Sequence, residues 1–98
     1  MVAFVRLHKL TSKGAADIRD FKKGLAEFRK LQEEMGVKII TSYACLGEYD
    51  FVSIIDAPDD EAAFKLSVAL GEAGNISTVT MKAMKIEEFS EMASTFKT

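Results

Sequence analysis

Strand-like and helix-like patterns alternate along the chain, beginning with a strand over residues 2–9. This segment is rich in β-branched and aromatic residues and alternates an apolar face with a mixed one. The mixed face carries Phe4, Arg6 and His8. A period of two is typical of a β-strand, so we expect these three side chains to point to the same side of a sheet.

A long amphipathic helix is predicted next. Thr11 and Ser12 offer N-caps, since their hydroxyls can accept hydrogen bonds from the free amide groups of a first turn. Gly36 predicts the end of the helix, because glycine readily adopts the left-handed conformation of a C-terminal cap. Between them a mainly apolar stripe recurs every three or four residues. It consists of Ile18, Phe21, Leu25, Phe28, Leu31, Gln32 and Met35.

Residues 38–57 have the pattern of a β-hairpin with two strand-like runs. Between the runs, Gly47 and Glu48 fit a two-residue turn that has glycine at the position requiring a positive φ. The turn sets the register of the two strands and would place Tyr43 opposite Val52.

The remaining residues predict a second helix, a fourth strand and a short tail helix. Pro58 and the three acidic residues after it are typical of a helix start, and Gly74 follows the alanine-rich stripe of that helix. The order β-α-β-β-α-β plus a terminal helix predicts an α+β, ferredoxin-like fold. We expect one domain over residues 1–98, with a core of residues 1–86 and a tail helix of residues 87–98.

In this topology both helices cover one face of the sheet and leave the other face bare. Since neighbours in a strand alternate, apolar side chains must lie on the bare face. The residues expected there are Phe4 and either Phe51 with Ile55 or Val52 with Ile54. An apolar face of this kind marks an interaction surface. We therefore predict a homodimer or larger homo-oligomer, with two sheets packed face to face as a dimeric α/β barrel.

Composition and charge narrow the function classes. The formal net charge is −2 and lysine and arginine form no dense run, so the basic footprint of a nucleic-acid-binding protein is missing. No apolar run approaches the roughly 20 residues that cross a bilayer, and no signal peptide is visible. Cys45 is the only cysteine, which excludes an internal disulfide, and we expect it to be a buried thiol. These features predict a cytoplasmic protein that binds neither nucleic acid nor membrane.

Five residues are candidates for binding a small molecule: Arg6, His8, Tyr43, Tyr49 and Asp50. Arg6 and His8 share a strand face and suit an anionic ligand, or His8 suits a general base, because imidazole titrates near neutrality. For Tyr49 and Asp50, ligand binding competes with a structural role in the hairpin turn. One histidine and one cysteine are too few for the usual metal ligands, and no phosphate-binding glycine loop is present, so we expect neither metal nor cofactor.

The run Leu46-Gly47-Glu48-Tyr49-Asp50-Phe51-Val52, followed by residues 56–62, resembles the signature of the GYD domain family. The similarity extends to Leu10-Thr11 with Gly14, to Gly74-Asn75-Ile76 and to Glu87-Glu88-Phe89. It implies the dimeric α/β barrel fold and self-association, and no particular activity. A more distant resemblance links the chain to the effector-sensing domains of leucine-responsive (Lrp/AsnC-type) regulators. In those domains small molecules such as amino acids bind between dimers. These 98 residues contain no helix-turn-helix, so the resemblance implies no DNA binding.

Three hypotheses of function follow. The leading one is a homo-oligomeric small-molecule binding or assembly module, with a ligand site between subunits near the Gly47–Asp50 hairpin. The alternative is a small cofactor-independent enzyme of the oxygenase or isomerase type, in which His8, Arg6 and Tyr43 converge on a pocket for acid–base chemistry. The third is a structural partner for another protein, which would bind through the tail-helix residues Phe89, Met92 and Phe96.

Overall fold

The computed structural model describes residues 1–97 and confirms the predicted order of strands and helices. The elements are β1 (Val2–Leu10), α1 (Ser12–Ala16), a 3-10 turn (Ile18–Asp20), α2 (Phe21–Glu34), β2 (Lys38–Ala44), β3 (Phe51–Ala57), α3 (Asp60–Ala73), β4 (Ile76–Ala83) and α4 (Ile86–Thr95). The four strands form one antiparallel sheet in the order β2-β3-β1-β4. This is an α+β, ferredoxin-like fold. The predicted tail extended to Thr98, which lies outside the described residues.

The first helical region differs from the single long helix that its periodicity predicted. Thr11 caps α1 as expected, since its Oγ1 accepts a hydrogen bond from the Gly14 amide at 3.1 Å. The same hydroxyl donates to the Gly74 carbonyl at 2.6 Å, and the Thr11 amide donates to the Asn75 carbonyl at 3.0 Å. These bonds fix α1 against the connection between α3 and β4. The chain therefore turns at residues 17–20 before α2 begins.

The β2–β3 hairpin has the predicted register but a longer connection. Tyr43 pairs with Val52, as expected. The paired residues end at Ala44 and Phe51, so residues 45–50 form the connection in place of a two-residue turn, and its Gly47 has φ +131°. Cys45 lies in this connection and is exposed, so the prediction of a buried thiol was wrong.

A bulge interrupts β2. Ile39 pairs with Ile55 and Thr41 pairs with Ile54, which leaves Ile40 without a partner on β3. Such an extra residue bends the strand and raises its local twist. The Ile40 side chain is 56% exposed.

The core lies between the sheet and the helices, chiefly α3. Its buried residues include Phe4, which is 5% exposed and pairs with the fully buried Ile55. The prediction that Phe4 lies on the bare face was therefore wrong. Alternation fixes which side chains share a face, but it does not fix which face the helices cover. The uncovered face is formed by Val5, Leu7, Val52, Ile54, Val79 and Met81, which the strand pairing places on the side opposite Phe4.

The protein is more extended than a compact domain of its length. Its radius of gyration is 15.3 Å, and its principal extents are 52, 31 and 19 Å. A compact chain of this length has a radius of gyration of about 12.6 Å. Every residue of α4 is exposed, including Phe89 at 51% and Met92 at 49%. Helix α4 thus contributes no residue to the core.

Candidate functional site

A cleft of about 820 Å³ separates the covered face of the sheet from α1, the 3-10 turn and α2. It exists because α2 packs loosely on the sheet, with Gln32 as its one buried residue. The volume lies within the range of roughly 300–1,000 Å³ that small-molecule sites occupy. Arg6 and His8 of β1 line the floor, and Phe28 of α2 lines the opposite wall.

Arg6 is a buried charge without a polar partner in the described chain. The residue is 1% exposed, and its Nε and Nη2 atoms donate to no acceptor among residues 1–97. Its guanidinium carbon lies 5.9 Å from the centre of the Phe28 ring, a cation–π distance. Burial lowers the pKa of Arg6 from its ordinary value to about 10, so the side chain stays charged at neutral pH.

Arg6 belongs to a row of polar residues that crosses the covered face of the sheet. It pairs with Ser53 of β3 on one side and with Thr80 of β4 on the other, while Ser53 pairs with Ser42 of β2. Directly paired residues of antiparallel strands point to the same side. Three hydroxyl-bearing residues therefore share the covered face with the Arg6 guanidinium, and two of them, Ser42 and Ser53, line the cleft.

His8 is also buried, but its polar atoms are satisfied. Its Nδ1 lies 2.8 Å from Thr78 Oγ1, and its Nε2 lies 3.2 Å from Ser53 Oγ. Burial first, and then the charge of Arg6, lower the pKa of His8 from 6.5 to about 4. The imidazole is therefore neutral at pH 7, with one ring nitrogen donating and the other accepting. Neither nitrogen is free to act as a base without breaking one of these bonds.

Tyr43 borders the same cleft as Arg6 and His8, but its side chain belongs to the other face of the sheet. It pairs with Val52, which pairs with Leu7, so the register places Tyr43 on the uncovered face, where it is 65% exposed. The convergence of Tyr43 with Arg6 and His8, which the enzyme hypothesis needed, is therefore not formed.

Asp50 has a structural partner at the end of β1. Its Oδ2 atom accepts a hydrogen bond from the Leu10 amide at 2.7 Å, and its own amide donates to the His8 carbonyl at 2.9 Å. The neighbouring Tyr49 ring lies 5.1 Å from Lys9 Nζ. Asp50 thus joins the hairpin to β1 at the outer end of the cleft, and its carboxylate is already bonded.

We expect Asp50→Ala to lower the free energy of unfolding by about 2 kcal/mol, because the partly buried Leu10 amide loses its acceptor. Urea denaturation followed by circular dichroism measures this change. Asp50→Asn is the matched control, since its amide oxygen can still accept the bond, and it should cost less than half as much. Equal losses in the two variants would contradict the role of this hydrogen bond.

Sequence reasoning missed several contacts of this region. Ser53 interrupts the apolar run of β3, and that interruption was the available signal for a polar group facing the cleft. Thr78 and Phe28 gave no such signal, because their contacts with His8 and Arg6 join distant segments. The unbonded Oδ1 of Asn75, a second buried polar atom that lines the cleft, was likewise not predicted.

Among residues 1–97, no three histidine, cysteine, aspartate or glutamate side chains come together as a group that could hold a metal ion. Over the same range, no helix combines the length and the apolar character that a bilayer span requires.

Comparisons with known proteins agree with this fold. The family described as GYD domain matches residues 4–93. The Thermus thermophilus protein named "Glutamine synthetase and cystathionine beta-lyase binding protein" is 29% identical over 89 residues, which cover 90% of this chain and 94% of that protein. The crystal structure of MtbAldR is similar with a TM-score of 0.64 and 18% identity, over 85% of this chain and 51% of that one. The chain thus spans about half the length of MtbAldR, and this likeness shows the fold alone.

Proposed function

Because the chain belongs to the GYD domain family, we propose that it is a homo-oligomeric binding module whose copies associate through the uncovered face of the sheet. The observation that carries the proposal is the apolar character of that face. Val79 and Met81 are 46% and 44% exposed, next to Val5 and Leu7 of the central strand. Removing such a surface from water favours association.

The extended shape of the protomer supports the same proposal. Helix α4 follows β4 directly, and its residues Phe89 and Met92, with Phe96 just after it, are all about half exposed or more. A compact monomer would bury aromatic residues of this size, since each offers a large apolar surface. Packing of α4 against a second copy would extend the interface beyond the sheet.

We expect Met81→Lys to weaken self-association at least tenfold, or by about 1.4 kcal/mol, because an ammonium group would lose its water within the apolar interface. Size-exclusion chromatography with light scattering gives the subunit number, and sedimentation equilibrium gives the dissociation constant. Val68→Lys is the matched control: Val68 is 62% exposed on α3, on the other side of the sheet, and this change should leave the dissociation constant unaltered.

A monomeric parent protein at all concentrations would remove the proposal. An equal effect of the two lysine variants would show that the uncovered face has no special role. Both variants place their charge at a solvent-exposed position of the protomer, so we expect both to fold.

The hairpin connection, residues 45–50, is part of the same proposal. Its Leu46 is 104% exposed, the highest value among the exposed large hydrophobic residues, so contact with a neighbouring molecule would remove apolar surface from water. A small molecule held between subunits near Gly47 would meet Tyr43 on the uncovered face. Asp50 is less available to it, because its carboxylate is bonded to the Leu10 amide.

Protein partners are a second proposed role. The relative from Thermus thermophilus carries a name that states binding to two enzymes, glutamine synthetase and cystathionine beta-lyase. In this chain the exposed side chains Phe89 and Met92 of α4 offer an apolar helix face for such a contact. An amphipathic helix commonly docks in a groove of its partner through such a face.

A further inference from the structure

We infer that the cleft beneath α2 binds a small organic anion, namely a carboxylate with an aromatic or branched apolar body, and that the Arg6 guanidinium anchors the carboxylate. The site is complete within one protomer, so the inference goes beyond the proposed self-association. Its basis is a buried, unpartnered cation that borders a cavity of ligand size.

The energetic argument begins with Arg6. A charge that is removed from water without a counter-ion destabilises the folded protein. None of the ion pairs among residues 1–97 includes Arg6, and its Nε and Nη2 donors are unbonded there. The Phe28 ring at 5.9 Å offsets only part of this cost, since a cation–π contact is weaker than the hydration that a guanidinium loses on burial. An anion that accepts hydrogen bonds from both donors would offset the remaining cost of burying the charge.

The geometry of the donors favours a carboxylate. Nε and an Nη of a guanidinium form a planar fork that matches the two oxygens of a carboxylate. Ser53 flanks Arg6 on the same face of the sheet and lines the cleft, so its hydroxyl can add a further hydrogen bond. His8 is bonded through both ring nitrogens and is neutral, which leaves one positive charge on the floor of the cleft.

The charges at the rim of the cleft balance one another. Three basic and three acidic residues line it in addition to Arg6: Lys13, Lys23, Arg29, Asp17, Asp20 and Glu27. The excess of one positive charge fits a singly charged ligand better than a phosphate, which carries up to two charges at neutral pH.

Aromatic side chains define the body of the ligand. Phe28 lies over the guanidinium, and Phe21 stacks on Phe51 with ring centres 5.1 Å apart, all at the cleft. Since Phe28 covers Arg6, the incoming carboxylate displaces the ring from the guanidinium, and the ring then packs on the apolar part of the ligand. The loose packing of α2 gives room for this movement.

The probes for the test are benzoate, phenylacetate and isovalerate, with benzamide as the neutral counterpart of benzoate. Isothermal calorimetry on the full-length chain measures their affinities. We expect saturable binding of at least one carboxylate and at least tenfold weaker binding of benzamide. Arg6→Met should weaken carboxylate binding at least tenfold, whereas Arg19→Met, at an exposed arginine that does not line the cleft, should leave it unchanged.

Arg6→Met should fold, because replacing an unpaired buried charge by an apolar side chain of similar size is neutral or stabilising. If the variant does not fold, NMR of the parent protein tests the same contact. A hydrogen bond to the carboxylate should shift the Arg6 Nε–H resonance as the carboxylate is titrated in. Four results would overturn the inference. They are no saturable binding of any of the three carboxylates, equal affinity for benzamide and benzoate, an unchanged carboxylate affinity of Arg6→Met, and an Arg6 Nε–H resonance that does not shift during the titration. Met81→Lys should bind the probes normally, which separates this inference from the proposed self-association.

Discussion

Replacing Gly14 by alanine is expected to lower the free energy of unfolding by about 3 kcal/mol or more. A β-carbon at this position would overlap the carbonyl oxygen of Asn75 and lie 2.9 Å from its carbonyl carbon. Both atoms belong to the backbone, which cannot rotate away as a side chain does. The same carbonyl accepts the 3.0 Å hydrogen bond from the Thr11 amide, so relief of the clash would also break that bond.

Urea denaturation measures this loss, and Gly24→Ala is the matched control. Gly24 lies in the interior of α2, where a β-carbon would meet no atom within 4 Å. Alanine should there stabilise the protein by up to about 1 kcal/mol, because it favours the helix. The two substitutions are chemically identical and are expected to act in opposite directions. A Gly14→Ala variant as stable as the parent would show that the contact between α1 and the α3–β4 connection is not tight.

Lowering the pH from 7 to 4 is expected to destabilise the protein by about 2–3 kcal/mol through His8 alone. The pKa of His8 is about 4 in the folded protein and about 6.5 in the unfolded chain. Between these values the unfolded chain binds the proton and the folded protein does not. The contribution of His8 to the free energy of unfolding is therefore fully present above pH 6.5 and is lost as the pH falls towards 4. Below pH 4 this group causes no further change.

The measurement compares the parent with His8→Gln at several pH values between 4 and 7. Carboxylates titrate in the same range, but they do so in both proteins, so the difference between the two curves isolates His8. As the pH falls, the free energy of unfolding of the parent should decrease more steeply than that of the variant. The difference in slope corresponds to the uptake of about one proton on unfolding, or up to 1.4 kcal/mol per pH unit. Parallel curves would contradict the buried, neutral state of His8. Thr78, Ser53 and Arg6 face the ring, and none of them changes its charge over this range.

The sequence predicted the elements well because their signals are local. The strand alternation of residues 2–9, the Thr11 cap and the Tyr43–Val52 register each depend on a few neighbouring residues. The break between α1 and α2 was missed, because it is imposed by contacts with Gly74, about 60 residues further along the chain.

The candidate site was predicted only in part, for a physical reason. The period of β1 correctly grouped Phe4, Arg6 and His8 on one face. Strand alternation does not tell which face the helices cover, and the sequence analysis assigned this face to the bare side, whereas the helices cover it and bury Arg6. The register also contained the information that separates Tyr43 from Arg6, since Tyr43 opposes Val52 and not Ser53. The overlying Phe28 depends on how α2 packs and has no local signal.

The bulge at Ile40 affects how many copies of the protein can associate by adding strands to the edge of the sheet. Strands β2 and β4 are the two edge strands of the sheet. A fibre that grows by strand addition needs both edges to accept a new strand. The extra residue disturbs the regular spacing of donors and acceptors along β2, which disfavours the addition of a foreign strand there. The pairing of β4 is regular, and two β4 edges that pair with each other form a closed dimer. The bulge in β2 is thus expected to disfavour open-ended polymerisation by strand addition.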